Sequence, residues 1–212
     1  MTSLNLTSIR TASLLLVTAL LAGCRPGAPG TPIVSPTSRP VSMITPVEFF
    51  SPDQKRLGQH LGWQTGCFKV DYSGPPANIL ERLEVWRDGK PDGNSGSSST
   101  RAESAELSVS VRDAGTTPNT FLVTQVLSSA TGSSTSSGSH TRPNLGTWST
   151  TIAKIQGPVE LLPGQEVAVW ALMLRKSNPK SDLNDRTSGP VAEQAAASDW
   201  AVVLKVQLQP TK

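Results

Sequence analysis

The sequence predicts a mainly β chain, built as an antiparallel β-sandwich with one or two short peripheral helices. Three observations point there. Hydrophobic residues make up 36% and charged residues 17% of the 212 positions, too few of either for a helical bundle rich in Leu, Ala, Glu and Lys. Ser, Thr, Gly and Pro fill the difference. The apolar residues that remain mostly recur at every second position, and polar turn-forming stretches separate the runs.

The chain opens differently. Arg10 supplies a basic start with no acid before it, and residues 11–21 form an apolar run. That run is shorter than the ~20 residues a bilayer span requires, which marks it as a signal segment. It closes on Leu21-Ala22-Gly23-Cys24. These four residues resemble the lipobox of bacterial prolipoproteins, a branched residue and two small ones before an invariant Cys. The resemblance implies that Leu21, Ala22 and Gly23 are read by the signal peptidase and that cleavage falls before Cys24. It further implies a diacylglycerol on the Cys24 sulfur and acylation of the new amine. Two or more acyl chains at about 0.8 kcal/mol per buried CH₂ give a stable membrane anchor, which one chain does not. Arg25 stands where an Asp commonly retains such proteins in the inner membrane. For a host with two membranes, the periplasmic side of the outer membrane is therefore expected.

Prolines at 26, 29, 32, 36, 40 and 46 disfavour helix and central strand alike. Residues 24–46 are accordingly expected to be a partly extended spacer. The expected division is a cleaved signal segment at 1–23, the lipidated Cys and spacer at 24–46, and one sandwich domain at 47–212.

Within that domain, Ser51-Pro52-Asp53-Gln54 has the capping residue, first-turn proline and capping-box partner of a helix start. Leu57 and Leu61 share one face of the predicted helix, and Gly62 ends it. Phe68, Val70 and Tyr72 then alternate with Lys69 and Asp71, and Leu107, Val109 and Val111 with Ser108 and Ser110. The clearest alternation is Trp200, Val202, Leu204, Val206 and Leu208. Further runs lie near 80–87, 120–127, 146–156 and 166–175. In the last of these, Val167, Val169 and Ala171 oppose Ala168, Trp170 and Leu172, as on a central strand with two apolar faces. About seven strands result. Leu162-Pro163-Gly164-Gln165 resembles the turn that often precedes a strand in bacterial immunoglobulin-like domains, which implies a sandwich of that or a related kind. Polar insertions are expected at 91–104, at 128–144 and at 177–199, the last with a short helix near 191–197.

Chemistry is sparse. The net charge of +3 is spread along the chain; without a basic face and aromatic platforms, nucleic acid is not an expected partner. With Cys24 lipidated, Cys67 has no partner for an intrachain disulfide; its phase with Lys69 and Asp71 points outward. Asp88 and Asp92 begin a weak calcium-loop pattern that fails at Lys90 and at Ser99. His60 and His140 are the only two histidines. They lack the clustered ligands of a zinc site, and no Gly-x-Ser-x-Gly elbow accompanies them. Glu81, Glu84, Glu103 and Glu106 are expected on solvated faces, and no cofactor is called for. Of the five tryptophans, Trp170 and Trp200 fit core positions, while Trp86 and Trp148 are the candidate ligand contacts. The functional expectation is a lipid-anchored, non-catalytic binding or structural component of the bacterial envelope, touching an envelope protein or glycan. A glycan- or peptidoglycan-binding module is the alternative, and a hydrolase a more distant one.

Overall fold

The computed structural model describes residues 41–115, 117–143, 148–176 and 189–211, which fall in a compact unit spanning Ser38–Lys212. The predicted signal segment and Cys24 lie outside the described residues. Two antiparallel sheets carry the fold. The first runs, in spatial order, β7 (Gly132–Thr141), β6 (Thr120–Ser129), β5 (Ser104–Asp113), β2 (Gln64–Ser73), β1 (Val41–Val47) and β9 (Val159–Glu160). The second runs β4 (Lys90–Arg101), β3 (Ala77–Arg87), β11 (Trp200–Pro210), β10 (Glu166–Lys176) and β8 (Trp148–Lys154). Inward-facing Ile44, Phe68 and Leu107 from one sheet meet Ile79, Leu172 and Val202 from the other in a single core. This is the predicted β-sandwich, with two short helices: α1 (Lys55–His60) and α2 (Val191–Ala196).

Period two places the strands it was read from. Phe68 and Val70 are buried on β2, and Leu107, Val109 and Val111 on β5. The helix start at Ser51 is also present: a 3₁₀ turn at Pro52–Gln54 leads into α1, and Gly62 follows with a positive φ of 63°. Its apolar face, however, points to solvent, with Leu57 55% and Leu61 46% exposed. α2 packs on the outer face of the second sheet, over Trp86, Ala171, Met173 and Val203.

Four expectations change. The Ser/Gly-rich segments expected as insertions at 91–104 and 128–144 are largely strands, β4 and β7, so the described residues hold eleven strands. Their low strand propensity is overridden by pairing to the apolar strands β3 and β6 and by packing across one edge of the sandwich. Small side chains allow that approach: a Cβ on Gly96 would lie 3.0 Å from the Ser136 hydroxyl and 3.2 Å from the Gln125 amide nitrogen. Second, residues 41–46 are strand rather than spacer, paired along β2. Pro46 lies beyond β9, which reaches only Met43 and Ile44, so it occupies an edge where a strand tolerates proline. Third, a bulge between Ala168 and Trp170 shifts the phase of β10. Val169, Trp170, Leu172 and Leu174 all enter the main core, while Ala171 turns to the α2 side. Fourth, two of the acids expected on solvated faces are buried.

Those acids lie on opposite faces of β3. Glu84 faces outward with Trp86 and joins a charged network: Lys205 reaches Glu84 at 2.9 Å and Glu166 at 3.0 Å, and Arg82 reaches Glu166 at 3.1 Å. Burial opposes the Glu84 charge, but hydrogen bonds from Lys205 and Trp86 and the nearby cations outweigh it and hold its carboxyl below the usual range. Glu81 faces inward and is 0% exposed. One of its oxygens accepts from the Ser98 hydroxyl at 2.9 Å. The other has no hydrogen-bond partner. Burial drives this carboxyl from 4.5 up to about 7, against a smaller opposing pull from Ser98. The folded chain therefore holds the Glu81 proton more tightly than the unfolded chain, so stability falls as the pH rises from about 4.5 to about 7. Glu81→Gln removes that titration. Denaturant unfolding of variant and parent should favour the variant at pH 8 by about 2 kcal/mol more than at pH 5. A difference independent of pH would show that Glu81 does not titrate in this way.

Candidate binding site

A concavity lies at the end of the sandwich where β1 begins and β11 ends. Alternation along β1 puts Ser42 on the same inward side as Ile44, and both are buried. Tyr72 closes β2, and Pro75-Pro76 carries the chain over to Ala77 on β3. The opposite wall is Leu161, Leu162 and Pro163, between β9 and β10, with Leu208 of β11 beside them. Together they enclose a pocket of about 220 Å³.

Local chemistry makes these walls rigid. Pro163 and Gly164 occupy the centre of a turn in which Gln165 N–H donates to the Leu162 carbonyl at 3.0 Å, with φ at Gly164 of +80°. That is type II geometry, with proline and glycine where it favours them. The predicted Leu162–Gln165 turn is therefore present, and it forms a lip of the pocket. Backbone groups around the walls are already paired. Leu161 N–H donates to the Ser42 carbonyl at 2.8 Å, Gly164 N–H to Leu208 at 2.8 Å and Thr211 N–H to Pro76 at 3.2 Å. The Tyr72 hydroxyl donates to the Pro75 carbonyl. Ser42 is the exception, since its buried hydroxyl has no partner. Among the described residues, Glu160 is the one charged side chain of the lining.

The sequence-predicted site residues lie elsewhere. Trp86 faces away from the main core, in phase with Glu84, but is only 8% exposed. α2 packs over that face, the Trp86 indole donates to Glu84 at 2.9 Å, and Lys205 Nζ lies 5.4 Å from its ring centre. Trp148 is half-buried at the start of β8 and packs against the main core. Asp88 and Asp92 belong to the β3–β4 hairpin. Asp88 (φ 47°) and Gly89 (φ 75°) make a two-residue turn of the type I′ kind, and Asp92 pairs with Arg87. Cys67 has the outward phase expected of it but is 6% exposed. Burial first, and then the charge of Glu106, push its thiol up to about 11, opposite to the shift that makes a cysteine reactive. His140 stands in β7 opposite Phe121, rather than in a loop, and burial lowers its pKa. His60 lies on α1. Among the described residues, no group of three or more His, Cys, Asp or Glu side chains is placed to hold a metal ion.

Comparison of the chain with protein-family models, curated proteins and solved structures gave no match. Function must therefore be argued from the chain's own residues. The pocket could not be foreseen from period or motif, because four separated segments build it. The one local signal was the clustering of prolines and leucines at 75–76, 161–163 and 208–210.

An unpartnered hydroxyl on an inward face costs stability, whereas a methyl group of nearly the same shape does not. Ser42→Ala should therefore raise the unfolding free energy by roughly 1 kcal/mol in urea titrations. A loss of stability of that size would show that the hydroxyl is satisfied in solution.

Proposed function

We propose that this chain is a bacterial envelope lipoprotein, anchored through Cys24, that works by binding rather than by catalysis. The observation that carries the anchor is the Leu21-Ala22-Gly23-Cys24 sequence after a short apolar run with a basic start. The proline-rich stretch up to Pro40 then serves as the spacer, and Arg25 favours the periplasmic side of the outer membrane in a two-membrane host. The binding half of the proposal draws on the pocket beside Ser42, whose lining among the described residues is largely apolar. Among the described residues no helix is long and apolar enough to cross a membrane.

Cells fed an alkyne analogue of palmitate should incorporate it into the full-length chain, and Cys24→Ala should abolish the label. The variant should also leave the membrane fraction. Labelling that survives Cys24→Ala would remove the lipobox as the basis of the proposal.

A second reading, attachment to glycan, is favoured by one feature of the first sheet. On its outer face Thr65, Ser110, Thr124 and Ser137 fall in register across β2, β5, β6 and β7. Strands lie about 4.8 Å apart, so these hydroxyls form a row of donors and acceptors across four strands. If the row holds a polysaccharide, the protein should sediment with insoluble peptidoglycan, and the pair Ser110→Ala, Thr124→Val should stay in the supernatant. Equal sedimentation of the parent and the pair would end this reading.

A further inference from the structure

We propose that the α1 end of the sandwich rests on a phospholipid bilayer, with Leu57 and Leu61 entering the interface between headgroups and acyl chains. The inference rests on the anchor half of the reading above, because the tether is what keeps this end close to a membrane.

The leucines face out because of how α1 is held. Gly58 is buried against Phe50, whose ring leaves no room for a Cβ there. Phe50 meets Phe49 edge-on with ring centres 4.8 Å apart, and Trp63 at 6.3 Å. A cluster of three half-buried rings thus ties down the Gly58 side of the helix. Leu61 N–H donates to the Leu57 carbonyl at 3.0 Å, which continues the helical turn and makes the two leucines surface neighbours. Four large hydrophobic side chains are exposed among the described residues, and these two are the most exposed of them.

Area decides what covers them. Two leucines on a helix of six residues fall far short of the roughly 800 Å² per partner that a stable protein–protein interface buries. A second copy seated on α1 alone would lack that area. A bilayer needs no matching shape, since its gain scales with the apolar area inserted. Leucine beside Trp and Phe is also the kind of surface that settles at a membrane interface. The helix itself, Lys-Arg-Leu-Gly-Gln-His, brings no acid to such a surface.

Untethered, so small a patch binds a membrane weakly, given that a whole myristoyl chain binds only marginally. The tether changes this. From Cys24 to Val41 the chain can extend at most about 60 Å, and β1 adds about 20 Å before the α1 end is reached. A link of that length sets a local concentration on the order of millimolar, at which a weak contact is occupied.

The test uses the mature chain, residues 24–212, made without lipid. Both sheets and their core lie within residues 41–211, so this chain keeps the fold. Its Cys24 thiol is coupled to a maleimide lipid in vesicles of phosphatidylethanolamine and phosphatidylglycerol. Cys67 is buried, and a mass showing one adduct checks that it stays unmodified. A second lipid carries a photoactivatable diazirine on its acyl chain, close to the ester. After irradiation, crosslinks within the domain should fall mainly on residues 49–63. The pair Leu57→Gln, Leu61→Gln should lower them by about tenfold. Both positions are exposed, so the pair should fold, with circular dichroism and the unfolding midpoint as checks.

The proposal fails if the domain takes no crosslinks, if they concentrate on the Leu162 turn beside the start of β1, or if the pair is labelled like the parent. A dimer of the untethered chain that the pair converts to monomer, seen by analytical ultracentrifugation, would assign the leucines to a second copy and overturn it too. The tether here is chemical, so these outcomes do not depend on acylation in cells. Failure of palmitate labelling would remove the anchor, whereas failure of the crosslink would remove only this contact.

Discussion

The fold depends on one strand whose first half, Trp200–Leu204, has water on neither side. β11 lies at the centre of the second sheet, with Trp200, Val202, Leu204, Val206 and Leu208 in the main core and Ala201 and Val203 in the cluster under α2. Each large aliphatic side chain taken fully out of water contributes about 1.5–3 kcal/mol, and β11 commits apolar surface to both layers. Its partners lie far apart in sequence: β3 pairs along its length on one side and β10 on the other. Neither the main core nor the α2 layer can close before β11 is in place. The contacts that stabilise the domain are therefore mostly non-local, a property that slows folding in all-β proteins.

A second constraint acts at the edge, where β4 meets β6 and β7. Strands of Ser, Gly and Thr bury little apolar area, and in isolation they would remain loops. Here they serve as thin spacers between two sheets. Thr100 donates to the Ser129 hydroxyl at 3.0 Å, and Gly96 leaves room for the Gln125 amide. Two bulges on the β3–β4 pair bend the strand at this edge, as bulges do. Larger side chains at these positions would hold the sheets apart and expose Leu127 and Leu83. The low-complexity composition is thus a packing requirement, met by residues too small to announce it.

This explains which parts of the fold were legible. Alternation revealed β2, β5 and β11 because each places a continuous apolar row against the core, and side-chain period is what a half-buried strand imposes on its sequence. It failed for β4 and β7, where the inward residues are Gly96, Ser98 and Ser136, which carry no hydrophobic signal. It assigned β10 two apolar faces correctly but sorted them wrongly past the bulge, because one extra residue exchanges inside for outside. Pro46 argued against a strand and yet lies in one, since the sequence could not reveal that β9 stops at Ile44. Glu81 was misjudged for a related reason. Its phase with Ile79 and Leu83 pointed inward, but its charge pointed outward, and only the Ser98 hydroxyl across the β3–β4 pair reconciles the two. Of the pocket, the turn at Leu162–Gln165 was legible and the cavity was not, because a turn is local and a cavity is made by assembly.

Among the described residues, Ser42, Glu81, Gln125 and the Trp200 indole each keep an inward polar atom without a partner. They do not call for one explanation. Glu81 and Gln125 sit among the small residues of the closing edge, next to Ser98, Gly96 and Ser136, in surroundings that are already polar. A fold can carry such groups for the register they impose, since a one-residue slip of β3 or β6 would send a charge or an amide to the other face of its sheet. Ser42 has no such setting. Its inward neighbour on β1 is Ile44, and the surfaces around it are leucine and proline. A methyl group there would be more stable and would preserve the register equally well. What sets Ser42 apart from Glu81 and Gln125 is its place beside a pocket lined largely by leucine and proline, where register gives no reason to keep a hydroxyl.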